Sequence, residues 1–186
     1  MKKLLLISSL LIAFTFANGQ KTLKTPGLLL GLDSTFVVRE YTNFNNQHQD
    51  ETWQKVSMPG RIIYYCQNSS DKNKSNVAHI YDFDDKGINF KYTTITTQEK
   101  IKYAVDHFNN LTVNRKNLYK FEGTISGTQA IWTSNDDIAE LAGCNCGHVK
   151  VTVISNLNPD DELVGKCGVK PGRSGELLAI VYTPNE

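Results

Sequence analysis

Val77-Ala78-His79-Ile80-Tyr81-Asp82-Phe83, then Asp84-Asp85-Lys86-Gly87, then Ile88-Asn89-Phe90-Lys91-Tyr92-Thr93-Thr94-Ile95 sets the architecture of this chain. Two runs rich in β-branched and aromatic residues flank a short polar segment that closes on glycine, the pattern of two antiparallel strands and their turn. The segment from Asp82 opens like a calcium loop. Lys86, however, stands where an oxygen ligand belongs and Thr93 where the bidentate glutamate belongs, so a hairpin turn explains it better. Upstream, Arg61 to Cys66 has the same composition and lies beyond an Asn/Ser/Lys-rich gap. The three runs predict a meander.

Moving outward, Gly31-Leu32-Asp33-Ser34 reads as a helix entry, with Asp33 or Ser34 as N-cap and Val37, Tyr41 and Phe44 recurring at helical spacing over about 34–44. Its rival is a strand through Phe36-Val37-Val38, because consecutive β-branched residues lower helix preference. Asn43 to Glu51 is polar and turn-like. On the other side, Thr96 and Glu99 form a capping box for a helix from about Thr97 to Asn109, whose stripe of Ile101, Ala104, Val105 and Phe108 should pack on the sheet. Leu118 to Thr124 and Gln129 to Thr133 suggest a second hairpin around Ser126-Gly127, with Trp132 as a core anchor. Ser134 to Leu141 has room for one helical turn. His148 to Ile154 and Glu176 to Tyr182 read as further strands, the last entered through Pro171-Gly172. The expected fold class is α+β, an antiparallel sheet with about two helices packed on one face. An all-β sandwich is the alternative.

The N-terminus has three parts. Met1-Lys2-Lys3 is positive, Leu4 to Phe16 is apolar, and Ala17-Asn18-Gly19 ends in small residues, the pattern of a cleavable secretory signal peptide. Cleavage is expected before Gln20, with Ala17 as the second choice, leaving residues 20–186 as a single exported domain. The apolar run is shorter than the 20 or so residues a membrane span needs, and the next, Gly27 to Leu32, is shorter still. No cysteine sits near the cut, so lipidation is not expected. The mature protein should be soluble, secreted or periplasmic.

Loss of Lys2 and Lys3 with the leader leaves 18 Lys+Arg against 19 Asp+Glu. Nucleic-acid binders usually carry a clustered basic surplus; here Lys100-Ile101-Lys102 and Asn114-Arg115-Lys116 are short solvated runs. No nucleic acid is expected as partner.

Cys66, Cys144, Cys146 and Cys167 read as two disulfides in an oxidising compartment. Four cysteines allow three pairings. Bridging Cys144 to Cys146 would strain an extended backbone. If Asp161 to Gly168 folds back on His148 to Ile154 through Asn158-Pro159-Asp160, Cys167 falls near Cys146, leaving Cys66 for Cys144. Cys144, Cys146 and His148 would share one face of a strand, as soft metal ligands or a redox pair would require. The spacing matches neither a common zinc module nor the usual oxidoreductase motif, so no metal and no cofactor is assigned.

No catalytic residue is assigned. The chain has no phosphate-cradling glycine loop or zinc-protease motif. Gly123-Thr124-Ile125-Ser126-Gly127 is no nucleophile elbow, since the serine falls one place late. His48, His79, His107 and His148 with Asp82, Asp84, Asp136 and Asp137 remain the groups that could converge in space. Asp106 and His107 are adjacent on their helix and diverge by about 100°. Asn68, Asn73 and Asn110 match the glycosylation acceptor pattern and matter only in a glycosylating host.

Two stretches carry resemblances. Gly31-Leu32-Asp33-Ser34, the strands from Arg61 to Phe83 and the helix at Thr97 are similar in order to one unit of small exported bacterial proteins with the β-lactamase-inhibitor-protein-like fold. That resemblance implies an inhibitor, assembly factor or binder, and transfers no functional residue. Gly143-Cys144-Asn145-Cys146-Gly147, followed by Lys170-Pro171-Gly172-Arg173-Ser174-Gly175-Glu176-Leu177, resembles a family of exported bacterial immunoglobulin-like domains of unknown function. Here the gap between the two parts is longer, and the chain ends where further strands should follow. The expected function is a non-catalytic binding, inhibitor or envelope-associated module with a protein or small-ligand partner. The alternatives are a small exported enzyme, or a thiol redox or metal-binding protein using Cys144, Cys146 and His148.

Overall fold

The computed structural model describes residues 28–47, 52–67, 77–97, 104–106, 119–126, 129–134, 148–157, 168–169 and 176–184. One helix, α1 (Ser34–Gln47), precedes four strands: β1 (Thr52–Met58), β2 (Arg61–Gln67), β3 (Val77–Phe83) and β4 (Asn89–Thr97). Four more follow: β5 (Tyr119–Ser126), β6 (Gln129–Ser134), β7 (Val149–Leu157) and β8 (Leu177–Pro184). All eight form one antiparallel sheet in the order β1-β2-β3-β4-β8-β7-β6-β5. The chain thus makes two four-stranded meanders whose last strands, β4 and β8, pair at the centre.

The predicted meander is present, with β3 at its expected bounds. Sequence reading missed β1. As a strand with a neighbour on one side only, it buries Trp53 but exposes Gln54, Lys55 and Ser57, so the apolar alternation that marks a strand is faint. The available signal was Pro59-Gly60: proline fixes a negative φ and Gly60 takes φ +65°, the sequence of a tight turn joining Met58 to Arg61.

Helix α1 wins over the strand through Phe36-Val37-Val38 because its apolar residues fall on one face and bury there. Val37 and Tyr41 are almost fully buried, with Phe44 one turn on. That gain outweighs the β-branched penalty, a few tenths of a kcal/mol per residue. Asp33 is the cap: its Oδ1 accepts from Phe36 N at 2.9 Å and from the Thr35 hydroxyl, meeting backbone donors a helix start otherwise leaves open. The β3–β4 turn clamps this entry. Asn89 Nδ2 donates to the carbonyls of Leu28 and Leu29, Asn89 N to Leu32 O, and Ser34 N to Gly87 O. At the far end, the Asn45 amide donates to Trp53 O and accepts from Trp53 N, tying the last turn to β1.

The sheet buries apolar side chains on both faces. On the helix side, Val37, Tyr41 and Phe44 pack with Trp53, Tyr64, Tyr81, Tyr92, Tyr182 and the valines 149, 151 and 153 of β7. Ile63, Ala78, Ile80, Ile95, Leu177 and Ala179 form the second core on the other face, with Val169 over them.

The described residues are mostly sheet, with a single long helix, so a β-dominated description fits them better than a sheet carrying two full helices. The strands form one sheet, not the two of a sandwich. Of the second predicted helix, 97 and 104–106 lie among the described residues; 104–106 are helical, and Ala104 joins the helix-side core. Its start needs correcting: Thr96 and Thr97 belong to β4, opposite Leu178 and Leu177, because ladder bonds to two neighbouring strands outweigh a cap. Ser134 ends β6 and does not open the expected turn; the rest of that turn, 135–141, and the Trp132 side chain lie outside the described residues.

Candidate functional site

Period-two alternation on β3 sends His79 and Tyr81 to the helix face, and Tyr64 and Tyr92 reach the same layer from β2 and β4. Tyr41 descends from α1 into the middle. Its ring stacks on Tyr64 at 3.6 Å and 2° and meets Trp53 and Tyr81 edge-on. Trp53 lies 4.6 Å from the His79 ring. Aromatic pairs of this kind each contribute about 0.5–1.5 kcal/mol beyond the area they bury.

The polar tips form a chain. Thr94 donates to the Tyr92 hydroxyl at 3.0 Å, which lies 2.8 Å from His79 Nδ1; Tyr41 OH lies 3.0 Å from that nitrogen and 3.1 Å from Tyr81 OH. With Thr94 filling an acceptor site on Tyr92, the Tyr92 proton points to Nδ1. The ring is then neutral, with its own proton on Nε2. Burial sets the electrostatics. His79 is 4% exposed and its pKa falls to about 3, because removing an imidazolium from water is unfavourable. Burial likewise raises Tyr64 to about 12 and holds Tyr41, Tyr81 and Tyr92 well above the ordinary phenol value. At neutral pH the cluster is uncharged.

On the opposite face, Asp82 sits between Arg61 and Lys91. Both are its register partners. Lys91 Nζ lies 2.8 Å from Asp82 Oδ2, and Arg61 Nε bonds Oδ1. The carboxylate is buried and its two cations are half-buried, so this trio carries a net positive charge.

The predicted candidates therefore do not converge where they can be seen. His79 and Asp82 lie on opposite faces, Asp84 closes the β3–β4 turn by accepting from Lys86 N and Ile88 N, and His148 is exposed beside β7. His48, His107, Asp136 and Asp137 lie outside the described residues, as do Cys144, Cys146 and Cys167. Cys66 is buried on the helix face of β2. The segment expected to fold back onto β7, 161–167, also lies outside the described residues; β6 and β8 flank β7 in the sheet. Gly168 rests on the Tyr65 ring of β2: a β-carbon there would lie 3.3 Å from it. Among the described residues, no group of three His, Cys, Asp or Glu could hold a metal ion, and no helix is long and apolar enough to cross a membrane.

Sequence reading saw His79 as one dispersed histidine among four. Nothing local marked it, because its partners Tyr41, Trp53 and Tyr92 come from α1, β1 and β4. No family model, curated protein or solved structure matches this chain.

Proposed function

We propose that this chain is an exported, non-catalytic binding module. The observation that carries this reading is the sealing of His79. Its Nδ1 is occupied by two tyrosines, and the ring is enclosed by α1 and three strands. A histidine so placed positions a helix and has no path to a substrate. Asp82, likewise, is spent on Arg61 and Lys91.

Element order supports the same reading. Helix α1 precedes β1–β4, and the helical residues 104–106 precede β5–β8. That order is in keeping with the resemblance to β-lactamase-inhibitor-protein-like modules and with a finer α+β assignment. The N-terminal pattern supports export with removal of residues 1–19.

The test uses the mature protein, residues 20–186. It is assayed against chromogenic ester, phosphate, glycoside and peptide substrates, with His79→Gln and His148→Gln variants in parallel. No turnover above the buffer rate is expected from any of the three. Turnover by the parent that either variant abolishes would overturn the reading.

A further inference from the structure

The aromatic layer under α1 is continuous. Tyr41 lies 5.7 Å from Trp53, 3.6 Å from Tyr64 and 5.9 Å from Tyr81 between ring centres, and Tyr92 joins Tyr81 at 5.0 Å. All five rings are buried. Phenol and indole are among the side chains that give up one electron most readily. Rings this close pass an electron between them by tunnelling, which needs neither an opening to solvent nor a substrate pocket.

Protons decide where the missing electron comes to rest. An oxidised phenol is a strong acid and must pass its proton to a base. Among the described residues, the Tyr64 hydroxyl and the Trp53 indole N–H are buried without a hydrogen-bond partner, so neither has a base to receive its proton. Tyr41 OH lies 3.1 Å from Tyr81 OH, itself a phenol and a poor base. Tyr92 is different: Thr94 donates to its oxygen at 3.0 Å, and its own proton points at His79 Nδ1, 2.8 Å away. A neutral imidazole has one lone pair at that nitrogen, and Tyr92 holds it. Tyr41 OH, 3.0 Å from the same nitrogen, is then surplus as a donor. It becomes a second acceptor once Nδ1 carries a proton.

We propose that Tyr92 and His79 form a proton-coupled redox pair, which takes up the oxidising equivalent that an outer-sphere, metal-centred one-electron oxidant leaves in this layer. The pair goes beyond the binding-module reading and does not depend on it. In the forward step the oxidant gains one electron, the Tyr92 O–H bond breaks and an N–H bond forms at His79 Nδ1. The products are a neutral phenoxyl, an imidazolium and the reduced oxidant. A one-electron reductant reverses the step, and the proton returns along the same hydrogen bond. His79 is a weak base, held to about 3 by burial, yet an oxidised phenol is a far stronger acid than that imidazolium. The new cation keeps its partners, because Nδ1–H faces the oxygens of Tyr92 and Tyr41. The enclosure that denies His79 a substrate here keeps the phenoxyl from other radicals and the proton from bulk water.

The experiment oxidises the mature protein, residues 20–186, with flash-generated ruthenium(III) tris-bipyridine and follows the phenoxyl by transient absorption and freeze-quench EPR. Tyr92→Phe removes the phenol and His79→Gln the base. Tyr65→Phe, half-buried on the opposite face of the sheet, is the control; thermal melts establish that each folds. The parent should form a phenoxyl at a rate that neither buffer concentration nor a change from pH 7 to pH 8 alters, because its base is internal. That phase should be lost in Y92F, slowed about a hundredfold in H79Q and changed less than about twofold in Y65F. The parent's EPR signal should also carry a nitrogen coupling that changes when histidine is isotopically labelled, a readout independent of how any variant folds. A phase kept in Y92F or unslowed in H79Q, equal loss in Y65F, a rate that rises with buffer base, or a phenoxyl without the histidine coupling would each overturn the pair.

Discussion

His79 gives the molecule a defined acid liability. An imidazole with an ordinary pKa near 6.5 in the unfolded chain, held to about 3 by burial, is protonated in the unfolded state across that interval and neutral in the folded one. Stability therefore falls as pH drops, beginning near 6.5 and ending near 3, at about 1.4 kcal/mol per pH unit. Between pH 7 and pH 5 the loss is about 2 kcal/mol, and over the whole window it is roughly 5 kcal/mol, comparable to the total stability of many domains. Among the described residues the ring meets Tyr41, Trp53 and Tyr92, none of them acidic. The perturbation is His79→Gln, whose amide stays neutral throughout. Urea unfolding followed by far-UV circular dichroism at pH 7, 6, 5 and 4 measures both proteins. The variant should be less stable at pH 7 by about 1–3 kcal/mol through imperfect packing and a changed acceptor. It should, however, lose about 2 kcal/mol less than the parent between pH 7 and pH 5, a difference of about 1 M in urea midpoint. Carboxylate titration is common to both proteins and cancels in the comparison. Parallel stability–pH curves for parent and variant would refute the reasoning.

Three further outcomes follow from the geometry. Asp33→Ala removes the α1 cap and should cost about 1 kcal/mol, read as a fall of about 2–4 °C in thermal midpoint; an unchanged midpoint would mean that the clamp from Gly87 and Asn89 suffices. Gly168→Ala places a β-carbon against Tyr65 at φ +64°, whereas Gly87→Ala at φ +77° meets nothing within 4 Å; both should destabilise by about 1 kcal/mol through the left-handed backbone, with Gly168→Ala the worse in chemical denaturation. Intact mass of the exported protein should show loss of residues 1–19, and four thiols that alkylate only after reduction; thiols that alkylate without reduction would remove the two disulfides.

The sequence by itself determined the local elements wherever side-chain pattern and backbone preference agreed. Asp33 before Val37, Tyr41 and Phe44 specifies a capped amphipathic helix, and the runs in β2, β3 and β4 specify strands whatever lies beside them. It failed where the signal depended on neighbours: β1, whose outer position leaves one large apolar side chain buried, and the start of the second helix, where pairing to β8 holds Thr96 and Thr97 in the sheet. The sites were less legible still. His79 becomes a neutral core residue only because Tyr41 arrives from a helix 38 positions earlier, and Arg61 and Lys91 meet Asp82 only because strand order and register align them. Along the chain these three charges are isolated, and hydrogen-bonded pairing of neighbouring strands, which only the tertiary fold decides, brings them together.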